Sequence, residues 1–125
     1  MDPIADLLTT IRNSSAAGKS QAEISYSKLK EEICKILAER SIITRYSIDD
    51  SDPFKKIIIQ FKNNSNIRHL NRISKPGRRV YIKAKNIRVP LSGLGYMIIS
   101  TPKGVVESRE AKKLGLGGEV ICEIW

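Results

Sequence analysis

The residues with the most chemistry to offer are Ser100-Thr101-Pro102-Lys103-Gly104, set between the apolar runs Met97-Ile98-Ile99 and Val105-Val106. Two adjacent hydroxyls can donate to phosphate oxygens or reach base edges and ribose 2′-hydroxyls. Lys103 adds a positive charge, Pro102 stiffens the chain, and Gly104 lets another backbone approach closely. A plain turn uses the same residue types, so this segment alone does not distinguish a turn from a binding loop.

A second group tips the balance. Arg68, Arg72, Lys75, Arg78, Arg79, Lys83, Lys85 and Arg88 follow one another with no acid among them. Phosphates repel acids and attract this composition, and arginine can grip a phosphate with two hydrogen bonds. Tyr81 sits in the middle of the run, where it suits either a core position or stacking on a base or sugar. The 125-residue chain carries a net charge of +9. Residues 1–62 hold 10 basic and 9 acidic residues, net +1, and residues 63–125 hold 12 and 4, net +8. A charge serving only solubility has no reason to segregate, so the second half is expected to meet a polyanion. Beside the basic run, the 100–104 segment reads better as a binding loop than as a bare turn.

Catalysis finds few parts. The single histidine, His69, lies in an arginine-flanked strand segment with no acid to orient it. The acids of the second half, Glu107, Glu110, Glu119 and Glu123, form no evident carboxylate pair. Gly115, Gly117 and Gly118 lack the spacing of a dinucleotide loop and precede a strand, so they read as a helix C-cap followed by a tight turn. Cys34 and Cys122 have no neighbouring cysteine or histidine at ligand spacing, which argues against zinc and for small buried apolar residues in a reducing compartment. No metal or other cofactor and no small-molecule substrate is expected. No apolar run approaches the roughly 20 residues that span a bilayer. The acidic, amphipathic start MDPIADLL resembles neither a signal nor a transit peptide, so no membrane role is expected.

The elements that must position these groups follow from periodicity. Asp2 and Pro3 begin a helix whose Ile4, Leu7, Leu8 and Ile11 share one face, and Gly18 ends it. Gln21–Tyr26 alternates as a strand does. Ser27 caps a second helix with Leu29, Ile33, Ile36 and Leu37 as its apolar stripe. SIITRYSI and KKIIIQF, separated by DDSDP, form a hairpin. The polar stretch KNNSN, 62–66, marks a domain boundary. Beyond it, IRHLNRIS, the PGRR turn and VYIKA read as a second hairpin. IRVPLSGLG reads as a loop or short helical turn, YMIIS as a strand and SREAKKLG as a short helix. The last strand, GGEVICEIW, should turn Val120, Cys122 and Ile124 to one side. The expected class is α+β. A two-helix, three-stranded α/β domain over 1–66 stands beside a mostly β domain over 67–125 with one short helix.

The segments DPIADLLTTIRN, RISKPGRRVY and GLGYMIISTPKGVVESREAKKLGLGGEVICEIW, in that order, closely resemble the bacterial and organellar small-subunit ribosomal protein eight family. The resemblance covers essentially the whole chain and is most specific from Gly93 to Gly118. It implies a non-enzymatic primary binder of the central domain of 16S ribosomal RNA that helps assemble the platform of the small subunit. It also implies neighbouring ribosomal proteins as partners, and residence in the subunit in the cytoplasm, or in an organelle stroma or matrix. Carried over by position, Ser100, Thr101, Lys103 and Gly104 form the main RNA-reading loop. Lys75, Arg78, Arg79 and Lys83 are expected as phosphate contacts from the acid-free composition of their run, not from the resemblance. Tyr81 and the Pro76-Gly77 turn match the second domain's core, and Glu119 and Cys122 match a last-strand motif beside the RNA. Thr9, Arg12, Asn13, Ser27, Lys28 and Lys30 match secondary contacts. Two positions depart from the family pattern. Pro102 stands where a second serine is usual, removing a hydroxyl and an N–H. Glu123 stands where tyrosine is frequent, and as an acid it should face solvent or a basic neighbour. The other readings of the charge are a sequence-tolerant binder of RNA or DNA, such as a messenger, and an enzyme built around His69.

Overall fold

The computed structural model describes residues 3–51, 54–61, 70–87 and 95–124. The chain divides into two compact units, Met1–Ile67 and Arg68–Trp125. Both contain helix and strand, and the class is α+β as expected. Asp2, the 62–66 boundary segment, His69, Arg88 and most of the IRVPLSGLG stretch lie outside the described residues.

In the first unit, helix α1 (Pro3–Ala16), strand β1 (Gln21–Ser25), helix α2 (Lys28–Glu39) and strands β2 (Arg45–Asp49) and β3 (Lys56–Gln60) follow in order. The sheet is antiparallel with order β1-β3-β2. Ile24, Ile48 and Ile57 stand in one cross-strand row, and Ala22, Tyr46 and Ile59 in the next but one. Directly paired residues share a face, so these rows make one apolar side. The intervening rows are mostly polar, Ile58 apart, and include a Glu23–Lys56 ion pair at 3.8 Å. Ile4, Leu7, Leu8 and Ile11 of α1 are buried, as their spacing requires.

The stripe of α2 differs from its sequence reading. Leu29 is 38% exposed and Lys30 is only 5% exposed. The buried line runs Lys30, Ile33, Cys34, Ile36 and Leu37, so Ile33, Ile36 and Leu37 are buried as expected and Lys30 takes the place expected for Leu29. Lys30 can lie there because its ammonium donates to the Ser25 carbonyl at 3.0 Å and to Ser25 Oγ at 2.9 Å. The aliphatic stem fills core space while the head is satisfied by the end of β1.

In the second unit, β4 (Leu70–Arg72), β5 (Tyr81–Ile82), a 3-10 turn at Ala84–Asn86, β6 (Tyr96–Thr101), β7 (Gly104–Glu107), helix α3 (Ser108–Leu114) and β8 (Gly118–Ile124) form an antiparallel sheet of order β4-β8-β6-β7. β5 also pairs with β8. The second hairpin expected from sequence is therefore not a ladder between its own arms. β4 pairs with residues 122–124 of β8 and β5 with residues 118–119. The two short arms lie along the long apolar strand, and the Lys75–Arg78 turn loops out between them.

A bulge corrects the reading of β8. Ile98 pairs with Cys122 and Ile99 with Val120, so Ile121 is an extra residue. Because Ile98 and Ile99 point to opposite faces, Val120 and Cys122 do too. Val120 joins Ile87, Met97, Ile99 and Ala111 in a core under α3. Cys122 is buried on the other face with Ile98 and Ile124. The rest of α3 follows local rules. Glu107 caps it, accepting from the N–H groups of Arg109 at 3.0 Å and Glu110 at 3.2 Å. Gly115, at φ +70°, closes it, and the Leu116 N–H reaches back to the Ala111 carbonyl at 2.9 Å.

Candidate nucleic-acid interface

The 100–104 segment is the tip of the β6–β7 hairpin, with Thr101 paired to Gly104. Pro102 supplies the fixed φ of a turn's first central residue, a place that needs no N–H. The positive φ of the turn falls on Gly104, at +115°. The two hydroxyls then part roles. Thr101 is 9% exposed. Its Oγ1 donates to the Gly104 carbonyl at 2.7 Å and accepts from the Lys103 N–H at 3.2 Å. That hydroxyl holds the hairpin tip together. Ser100 stays partly exposed, and Lys103 projects into solvent.

Glu119 is the hub of the surface. It pairs with Ser100 on one side and with Tyr81 on the other. Direct pairing puts all three side chains in one row on one face of the sheet. An open groove of about 750 Å³ follows this row. Its walls include Tyr81, Lys83, Ser100, Pro102, Glu119 and the backbone of Gly117 and Gly118. Tyr81 is 70% exposed, which removes it from the core and leaves its ring face open to a planar partner.

The two glycines are steric requirements of this groove. A Cβ on Gly117 would lie 2.3 Å from the Ile82 carbonyl oxygen, and one on Gly118 would lie 2.0 Å from that of Ser100. The start of β8 is thus wedged between β5 and β6, which brings Tyr81 and Ser100 to either side of Glu119.

The charge of Glu119 is answered locally. Arg79 Nη1 donates to its Oε2 at 3.0 Å. One acid in a basic face therefore orients an arginine at the groove's rim. Lys75, Arg78 and Lys83 are all exposed. Lys75 and Arg78 flank a turn closed by the Lys75 N–H to Arg78 carbonyl bond at 3.0 Å and its reciprocal at 2.9 Å, and Lys83 follows β5. Exposed cations of this kind bind a polyanion by releasing the counterions condensed along its phosphates.

The remaining candidates belong to the first unit. Thr9, Arg12, Asn13 and Lys28 are exposed. Ser27 caps α2, its hydroxyl accepting from the Lys30 N–H at 3.1 Å. Lys30 is turned inward onto Ser25, so its ammonium faces the protein. In the second unit, Cys122 is fully buried, and burial pushes its thiol up to about 12. Glu123, partly exposed, pairs across the ladder with Asn71 and Met97.

Sequence reasoning missed Ser74. It is 1% exposed, donates to the Val80 carbonyl at 3.1 Å and accepts from the Val80 N–H at 2.8 Å. A hydroxyl residue just before a Lys-Pro-Gly turn is a local signal of such a role, but its partner lies beyond the turn. No group of three or more metal-ligating side chains occurs among the described residues, and none of their helices is long and apolar enough to cross a membrane.

The family model for ribosomal protein S8 matches residues 2–125. The small ribosomal subunit protein uS8 of Thermus aquaticus is 46% identical, over 99% of this chain and 98% of its own length. The proteins of the same name from Thermus thermophilus and Rubrobacter xylanophilus are each 44% identical over 99% of this chain, covering 98% and 97% of their own lengths. The chain belongs to the ribosomal protein S8 family.

Proposed function

We propose that this protein is a structural constituent of the small ribosomal subunit and a primary binder of the central domain of 16S ribosomal RNA, helping to assemble the subunit's platform. The observation that carries the reading is the row Tyr81–Glu119–Ser100 along an open groove lined by Lys83, with Arg79 held on Glu119 and with Lys75 and Arg78 exposed in the loop that precedes it. An exposed ring offers stacking, Ser100 offers a hydrogen bond to a base edge or 2′-hydroxyl, and the cations hold the flanking phosphates. Lys103, at the hairpin tip, extends the cationic rim. Thr101 and Gly104 shape the loop that presents Ser100. Arg12, Asn13, Ser27 and Lys28 form the secondary contact set of the first unit, and Lys30 supports it from inside. Neighbouring small-subunit proteins are its protein partners, for which the first unit offers the exposed Phe54. Its place of work is the ribosome of the cytoplasm, or of an organelle stroma or matrix.

The test is binding to a central-domain fragment of small-subunit ribosomal RNA at two salt concentrations, with an unrelated hairpin and a DNA duplex as competitors. Specific binding should survive both competitors while log K falls with log salt by roughly 0.7–0.9 per neutralised phosphate. Binding erased by either competitor would identify a sequence-tolerant polyanion binder instead.

A further inference from the structure

The basic run does not hang loosely beside the groove. The chain leaves β8 and returns to it at a single residue. The Ser74 N–H donates to the Val120 carbonyl at 3.1 Å, and the Val120 N–H donates to the Val80 carbonyl at 2.9 Å. Between those two points lie Lys75, Pro76, Gly77, Arg78 and Arg79, all exposed. Reciprocal Lys75–Arg78 backbone bonds close the tip of this excursion, and at its neck one side chain joins the two arms. Ser74 Oγ lies between the strands, accepting from the Val80 N–H at 2.8 Å and donating to the Val80 carbonyl at 3.1 Å. A buried hydroxyl takes the place of a ladder rung. The next residue after Val80 is Tyr81, on the groove, and Arg79 reaches across to Glu119.

We infer that Ser74, though it touches no ligand, is the positioning residue of the RNA-binding face: its hydroxyl clasps the Lys75–Arg79 excursion so that three cations meet phosphates at a fixed spacing beside Tyr81. The inference rests on the RNA-binding reading given above. A loop held at its neck has already lost the backbone freedom that binding would otherwise have to remove. With the clasp gone, the same charges remain, but their phosphate contacts carry the added cost of ordering the loop. The residue thus sets how strongly the cations count, without changing the net charge.

The experiment compares the full-length protein with Ser74→Ala, Ser74→Thr, Arg78→Gln and the double variant Ser74→Ala/Arg78→Gln, titrating the central-domain RNA fragment and recording circular dichroism of each. Ser74→Ala should keep a folded spectrum and bind about tenfold more weakly, and Ser74→Thr, which keeps the hydroxyl, should restore most of that loss. Arg78→Gln should cost clearly less in the Ser74→Ala background than in the wild type. A purely structural role for Ser74 would leave the Arg78→Gln effect the same in both backgrounds, and that result would overturn the inference, as would full affinity in Ser74→Ala. If Ser74→Ala does not fold, Ser74→Cys replaces it, keeping the volume with a much weaker hydrogen-bonding group, and the same coupling decides. Absence of specific RNA binding by the wild type would instead refute the functional reading itself.

Discussion

The closest approach in the groove gives the sharpest test of how it is built. A methyl group at position 118 would stand 2.0 Å from the Ser100 carbonyl oxygen, 2.8 Å from its carbon and 3.2 Å from Thr101 Cα. Ordinary contact begins at 3.4 Å. All three atoms are backbone, so no side-chain rotation relieves the overlap. In Gly118→Ala, β8 and β6 must move apart by more than an ångström where Ser100 pairs with Glu119. Overpacking of this kind costs about 1–3 kcal/mol, and each ladder hydrogen bond lost adds about 1 kcal/mol. For a unit of this size each kcal/mol lowers the melting temperature by roughly 4–8 °C, so a fall of about 10 °C or more is expected in calorimetry. Two other glycines calibrate the result. Gly104 has open space around a Cβ but a φ of +115°, so Gly104→Ala should cost about 1–2 kcal/mol in backbone strain. Gly77 has open space and no positive φ, so Gly77→Ala should melt at or slightly above the wild-type temperature. RNA affinity should fall most for Gly118→Ala, because the shift separates Ser100 from Glu119 and Tyr81. A Gly118→Ala protein melting within about 2 °C of wild type would show that the strands do not hold this separation, and the account of the groove would fail with it.

Three further outcomes follow from the same geometry. Tyr81→Ala should change stability by less than about 0.5 kcal/mol, since the ring is exposed, yet weaken RNA binding by about 1–3 kcal/mol if it stacks on a base; a titration and a melt on one sample compare the two. Thr101→Val should lose about 1–2 kcal/mol of stability with its turn bonds, whereas Ser100→Ala should barely move the melt but reduce binding to the specific RNA more than to a random one; the reverse pattern would exchange the roles given to the two hydroxyls. Burial raises the thiols of Cys34 and Cys122 from the ordinary 9.0 to about 12. Their contribution to stability is therefore complete below about pH 9 and is lost as pH rises from 9 toward 12, on the order of a few kcal/mol. Urea unfolding at pH 8 and pH 10.5 should show the fall, and Cys34→Ala should show a shallower one.

Much of this protein was legible from neighbours in sequence. The apolar spacing of α1, the Ser27 cap and the β2–β3 hairpin are local patterns whose physics acts within a few residues. The segregated charge and the acid-free run from Arg68 to Arg88 marked the second half for a polyanion, because like charges accumulate on a surface only where something offsets them. The composition of residues 100–104 marked a turn able to bind. The sequence did not reveal which of its hydroxyls was spent on the turn.

Tertiary structure decided what depends on strands distant in the chain. Arg79 and Glu119 are 40 residues apart, and only the register of β8 between β5 and β6 makes Glu119 the hub between Tyr81 and Ser100. The extra residue at Ile121 reversed the expected side of Cys122, since a bulge changes the phase of a strand's alternation and leaves no reliable mark in its composition. Lys30 displaced Leu29 from the buried stripe because the end of β1 offered its ammonium two acceptors. Tyr81 was compatible with core or surface until its strand was placed at the groove. In each case the sequence supplied the side chain and its chemistry. Long-range pairing decided which face it lies on and what it meets there.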